Sequence, residues 1–326
     1  MKKYLLVSLF CGILSVLPAQ NITDGKLSLD CKVDVSLGKG YTISRVFVLN
    51  NEQFLFSHNS KTGQTSVWNL QKGGSPVLSA DWSAGWTNID FYEFKGDVYF
   101  FHQKGDDGLA RINKLNYNDI MSNKSMGSKV FEGKWSAGWT TTKFFVHNDI
   151  AYFLHYKKET GLARLNAATK TGDIGTMIYE KTWSKGYTNF AMTANGDNFY
   201  ILYQKGDEGT CVINKVDLPK LEAAAKAGLL SPNLGQEAYR NKWSEGWGNI
   251  GFFRMNDEVY MYLNKPGEGT MRIEKLNEDA TIGKRVYDNK WSAGWTSIEV
   301  FDFYGKPMLF HQKAGTGQTK ICELKF

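Results

Sequence analysis

The chain has 326 residues, 42% of them hydrophobic and 14% aromatic, and a formal charge of +6. That is ample apolar material for a core, and the charge is too weak and too scattered for a dedicated nucleic-acid binder. Beyond the amino terminus no stretch reaches the roughly 18 apolar residues that a membrane-spanning helix needs.

Lys2 and Lys3 precede the apolar run Tyr4 to Val16 and the small-residue stretch Leu17-Pro18-Ala19, the three-part form of a secretory signal. Cleavage is expected after Ala19, which makes residues 1–19 the signal and 20–326 a single domain of charge +4. Phe10 stands where a lipoprotein signal wants a small residue before Cys11, so simple export is read, to the exterior, the periplasm or the cell surface. Processing leaves Cys31, Cys211 and Cys322, an odd count that keeps at least one thiol unpaired.

A phrase then repeats along the chain. Trp82-Ser83-Ala84-Gly85-Trp86-Thr87 returns at Trp135 to Thr140, Trp183 to Thr188, Trp243 to Gly248 and Trp291 to Thr296, and a worn copy stands at Leu37-Gly38-Lys39-Gly40-Tyr41-Thr42. The intervals between first positions are 45, 53, 48, 60 and 48 residues, a period that marks a repeat architecture. Each copy is followed by the same grammar. After Trp135 it reads as a β-branched and aromatic run Thr140 to Val146, a turn at Asn148-Asp149, and three further strands at Ala151 to Tyr156, Gly161 to Asn166 and Thr176 to Glu180. Four antiparallel strands per repeat and six copies predict an all-β, six-bladed β-propeller. Apolar residues at successive positions, as in Tyr99-Phe100-Phe101 and Tyr152-Phe153-Leu154, predict a second strand buried on both faces.

The uneven intervals point to insertions in loops. Asp217 to Gly228 carries an N-cap, an early Pro, helix formers and a Gly stop, and is expected to form a short surface helix, while Tyr117 to Ser128 is a milder polar insertion. The last copy ends after three strands, and the orphan strand Leu27 to Val35 is expected to supply the fourth and close the ring. Cys31 and Cys322 then align with the opposite charges Arg285 and Glu274 of the preceding repeat, which predicts a disulfide between them and leaves Cys211 free.

Two periodic features qualify as ligand-binding. The second aromatic of each phrase (Tyr41, Trp86, Trp139, Tyr187, Trp247 and Trp295) is expected to face a groove between blades, whereas the first Trp reads mainly as packing. The end of the second strand carries His102 with Lys104, His155 with Lys157, Tyr203 with Lys205, Lys265, and His311 with Lys313, with His58-Asn59 as a shortened version. This pattern is either a solvated strand end or a repeated polar clamp for hydroxyls and acids. One His per blade argues against metal binding. Asp90 and Glu299 share a repeat position with Lys143, Ala191 and Gly251, so no carboxylate belongs to the repeat, and no nucleophile elbow, zinc signature or phosphate loop is present. No catalytic residue and no cofactor is assigned.

The Trp-Ser-x-Gly-Trp-Thr repeat, the aromatic second strand and the Lys before a Gly resemble the repeats of propeller lectins of the tachylectin-2 and fungal fucose-binding types. The resemblance implies sugar sites between blades, lined by Trp or Tyr with polar and basic partners. A repeated Arg with Glu is not apparent in the sequence, which counts against fucose. The leading expectation is an exported carbohydrate-binding propeller with several shallow inter-blade sites and glycans as partners. Its rivals are a scaffold for a protein of the cell envelope, and a glycan hydrolase or lyase with one site in the central channel.

Overall fold

The computed structural model describes residues 26–170, 172–231 and 233–326, so the expected signal segment lies outside the described residues. Six four-stranded antiparallel sheets form a six-bladed propeller. The innermost strands of blades one to six are Ile43–Leu49, Trp86–Phe94, Thr141–His147, Asn189–Asn195, Asn249–Met255 and Ser297–Phe303. The turns after them take the expected left-handed conformations, for example at Asn148 (φ 48°) and Asp149 (φ 57°).

The second strand of each blade is buried on both faces, with Phe54, Leu55 and Phe56 all inaccessible to solvent and Phe100 and Phe101 likewise. Among the described residues there are six apolar clusters, one per blade interface. Tyr152 and Leu154 of blade three pack on Phe190 and Ile201 of blade four, and Leu55 of blade one packs on Phe310 of blade six. Each such aromatic contributes about 1.5–3 kcal/mol by its removal from water, so the core is a ring of interfaces.

The repeated phrase is the crossing from the outer strand of one blade to the inner strand of the next. Its backbone is pinned to the blade it leaves: Trp135 donates its N–H to Gly108 (2.9 Å) and Gly138 to Gly105 (2.8 Å). Gly108 has to be glycine, because its φ is +78° and a Cβ there would lie 2.0 Å from the Trp135 carbonyl oxygen. The Thr that ends the phrase caps the next hairpin, as where Lys158 donates its N–H to Thr140 Oγ1 (3.0 Å). The worn copy keeps the pinning, with Leu37 donating to Gly317 (2.8 Å) and Gly40 to Ala314 (2.9 Å).

The ring closes as the sequence implies. Ser28–Ser36 pairs with Gln318–Lys325 to complete blade six, and Cys31 stands opposite Cys322 and is disulfide-bonded to it. In blade five the equivalent pair, Arg285 and Glu274, makes an ion pair at 3.0 Å. Cys211 is free and buried. The expected helix forms over Leu218–Lys226 with Asp217 as N-cap, and the milder insertion carries the short helix Tyr117–Met121. Among the described residues no helix is long and apolar enough to cross a membrane.

Candidate functional site

The two aromatics of the phrase exchange the exposures expected of them. The second is buried in every copy: Tyr41, Trp86, Trp139, Tyr187, Trp247 and Trp295 are all 6% exposed or less. The first, at Trp82, Trp135, Trp183, Trp243 and Trp291, is only half-buried. The chain enters the inner strand at the second aromatic, so that ring drops between sheets, while the first is left where the outer strands diverge.

Around five of the six second aromatics, all but Tyr41, a Lys of the expected clamp is found. Lys104 lies over the Trp86 ring at 5.3 Å, Lys157 over Trp139 at 4.8 Å, Lys205 over Tyr187 at 5.6 Å, Lys265 over Trp247 at 5.2 Å and Lys313 over Trp295 at 4.8 Å. Each Lys is thus held by the fold. Lys157 and Lys313 also donate to the Ser of the phrase, at Ser136 Oγ (2.8 Å) and Ser292 Oγ (2.7 Å). The His of the slot stands between the two aromatics. His155 is 4.4 Å from Trp135 and 5.3 Å from Trp139, His311 is 4.6 and 4.4 Å from Trp291 and Trp295, and Tyr203 stacks on Trp183 at 4.4 Å. Burial pushes the imidazoles of His102, His155 and His311 down to about 3, so they are neutral at physiological pH. His58 is a correction to the expected alignment: it pairs with Ile43, the register that Gln103 and Gln312 occupy in their blades, and Ser57 takes the His position.

A second correction concerns the basic partner. Arg111, Arg164 and Arg272 on third strands lie over Trp86, Trp139 and Trp247 at 5.4, 5.2 and 5.4 Å. Each pairs with an acid on the adjacent outer strand: Arg111 with Glu132 (2.5 Å), Arg164 with Glu180 (2.5 Å) and Arg272 with Asp288 (3.4 Å). A repeated Arg with an acid is therefore present in blades two, three and five. The sequence hid it because Arg and acid stand on different strands at separations that change with the intervening loop.

These groups line cavities between the outer strands of adjacent blades. One, about 460 Å³, opens between blades one and two. Its walls are Leu78, Trp82, Trp86, His102 and Arg111, with Asn113, Asn123 and Lys129 around them. The equivalent cavity between blades four and five holds about 190 Å³ and is lined by Tyr239, Trp243, Trp247, Leu263, Arg272, Glu274 and Arg285. Residue size at one position explains much of the difference. Tyr179, Tyr239 and Tyr287 each accept a hydrogen bond from the indole of the first Trp four residues on, at 2.8, 3.0 and 3.0 Å. Leu78 is the counterpart in blade one and leaves the Trp82 indole without that partner.

The central channel carries a second set of polar groups. Arg45, Asp90, Lys143, Ala191, Gly251 and Glu299 occupy one register of the six inner strands. The two carboxylates accept from the free edge of the next inner strand, Glu299 from the Val46 N–H (3.2 Å) and Asp90 from the Phe144 N–H (3.3 Å). Burial raises the Glu299 carboxyl above its ordinary range, against the pull of Arg45. Tyr262 fills the space left at Gly251, where a Cβ would meet its hydroxyl at 2.3 Å.

No family model matches the chain, and no curated protein does. Solved structures do resemble it in fold. The α-L-arabinofuranosidase Arb93A from Fusarium graminearum, in complex with an iminosugar inhibitor, is 11% identical with a TM-score of 0.59, covering 92% of this chain and 98% of that one. The Malassezia sympodialis allergen Mala s 1 is 10% identical (TM-score 0.57, covering 90% and 95%), and the WD40 domain of Toxoplasma gondii coronin 10% (0.56, covering 92% and 86%). Identities this low speak for the propeller fold alone.

Proposed function

We propose that the chain is an exported carbohydrate-binding propeller whose principal site is the cavity between blades one and two. One observation carries the reading: the half-exposed Trp82 ring stands over a cavity of about 460 Å³ floored by Trp86 and His102 and edged by Arg111 and Asn113. An aromatic face suits the apolar side of a sugar ring, and the guanidinium and amide suit its hydroxyls. The volume lies in the range of small-molecule sites. The sites are not equal in size, since the frame around Trp247 encloses about 190 Å³; Trp139, Tyr187 and Trp295 with His155, Tyr203 and His311 repeat the same frame in other blades. Lys104, Lys157, Lys205, Lys265 and Lys313 act by holding the second aromatic in place. The Arg and acid pairs remove the ground on which fucose was set aside. The disulfide supports export, since such bonds persist outside the reducing cytoplasm.

A glycan array probed with the purified chain and with Trp82→Ala tests this. Retention of a glycan by the native protein and its loss in the variant, which stays folded and melts within a few degrees of native, about 1 kcal/mol, is the expected result. No retained glycan sinks the proposal and leaves the envelope-protein scaffold as the better reading, and equal retention by both proteins sinks the assignment of the principal site to this cavity.

A further inference from the structure

We propose that the cavity between blades one and two takes an acidic sugar, a uronic acid whose carboxylate is bound by Arg111 and Lys129. The inference rests on the carbohydrate reading of that cavity and names the class of sugar. Among the described residues its walls carry three cations, Arg111, Lys124 and Lys129, and no carboxylate. Two acids pair with them from outside the lining. Glu132 accepts from Arg111 Nε (2.5 Å) and from Lys129 (3.0 Å), and Asp119 lies 3.6 Å from Lys124. One carboxylate thus serves both Arg111 and Lys129, and one positive charge is left over at the wall.

The same places in blades three to six hold no such excess. Lys129 stands opposite Asn113, in the register that Met177, Glu237 and Arg285 hold opposite Asn166, Asn214 and Glu274. Arg164 pairs with Glu180 in blade three, Arg240 with Glu237 in blade four, and Lys320 with Asp34 in blade six. In blade five Arg272 and Arg285 meet two acids, Asp288 and Glu274. The contacts left open in blade two suit a hydroxylated anion. Among the described residues Arg111 donates only through Nε, and its planar guanidinium, held over the Trp86 ring at 5.4 Å, is a fork that matches a carboxylate. His102 Nδ1 and Asn113 Oδ1 are buried without partners, and both residues line the cavity, so sugar hydroxyls would complete them. The insertion of blade two supplies a further wall. Asn123 accepts at Oδ1 from the Ser79 N–H (2.8 Å), which ties the loop carrying Lys124 to the outer strand of blade one.

Titration calorimetry of the full chain with methyl glucuronide and methyl galacturonide, each beside its neutral parent glycoside, tests the proposal, with a sulfated glucose as an anion of another shape. At least one uronide is expected to bind about tenfold tighter than its neutral counterpart, and tighter than the sulfate. Its advantage should shrink in about 0.5 M salt. Lys129 is exposed on the outer strand, so Lys129→Met should fold as native does. It should weaken the uronide about fivefold and narrow its lead over the neutral sugar. Lys129→Glu should remove that lead. Equal or tighter binding of the neutral glycosides overturns the uronate assignment and leaves the carbohydrate reading standing. Tighter binding of the sulfate overturns the carboxylate, and undiminished uronide binding by Lys129→Met overturns the placement. Absence of any binding at about 10 mM overturns the inference too, and the glycan array then decides the carbohydrate reading by itself.

Discussion

The Cys31 to Cys322 bond is expected to act by closing the ring, and that can be separated from its action as a local contact. The bond spans 291 residues of chain, so breaking it releases a very large loop. Chain entropy for such a loop corresponds to roughly 5 kcal/mol at 25 °C, the upper end of what disulfides provide. The strand Ser28–Ser36 is otherwise held by its ladder, by the packing of Leu29 and Val33 on neighbouring clusters, and by exposed ion pairs, Asp30 with Lys325 (2.6 Å) and Asp34 with Lys320 (2.9 Å), which are weak in water. Replacing Cys31 by Ser together with Cys322 by Ala should lower the thermal midpoint by about 10 °C, read by near-ultraviolet circular dichroism. Blade five provides the control, because Arg285 and Glu274 hold the same positions with an ion pair and no covalent bond. Cys31→Arg with Cys322→Glu should restore the contact and leave most of the loss in place. A double charge variant as stable as the native protein would refute ring closure as the mechanism, and so would a Ser and Ala variant melting within about 2 °C of native.

The exchanged exposures make Trp86→Ala and Trp82→Ala unlike in urea unfolding. Trp86→Ala should cost about 3–5 kcal/mol, because a fully buried ring leaves a cavity, and Trp82→Ala should cost well under half of that. Similar losses for the two would return Trp82 to the core. Protonation of the buried histidines should destabilise the fold in acid. His155 stays neutral in the folded chain down to about 3, whereas the unfolded imidazole takes a proton below about 6.5. Stability should therefore be flat above neutrality and fall as pH drops from about 6.5, by about 1.4 kcal/mol per pH unit for each such histidine. His155→Phe should remove one of these contributions, so that the variant gains about 2 kcal/mol on native between pH 6.5 and 5 in urea titrations; parallel profiles would argue against it. Gly108→Ala should destabilise strongly, by about 2 kcal/mol or more for a strained backbone meeting a carbonyl, and a normal melting curve would contradict the assigned crossing geometry.

Much of the fold was legible because its determinants are local. The phrase marks every blade crossing, its Gly takes a left-handed φ there, and its Thr caps the next hairpin in five of the six copies. The short last repeat and the orphan strand imply closure, and alignment to Arg285 and Glu274 located the disulfide. The candidate site was legible in its parts, since second aromatic, His or Tyr slot and Lys gather around Trp86, Trp139, Tyr187 and Trp295, whereas blade five has Leu263 in the slot and blade one has Ser57. Its shape was not. Arg111, Arg164 and Arg272 escaped notice because their acid partners lie across a strand pair of variable loop length, whereas the place of His58 was legible, since it stands one residue nearer to Gly63 than His102 does to Gly108.

The amino-acid sequence by itself determined six blades of four strands, the crossing that joins them and the residues that seal the ring, since strand periodicity, turn chemistry and the repeat are properties of neighbours along the chain. Only the tertiary structure decided which face of each aromatic meets solvent, because the opposing surface belongs to the next blade. Leu78 stands where blades three, four and five have a Tyr and borders the larger of two inter-blade cavities, and four charges from four separate inner strands converge in the channel. Both outcomes depend on how six similar sheets meet, and distance along the chain carries no record of that.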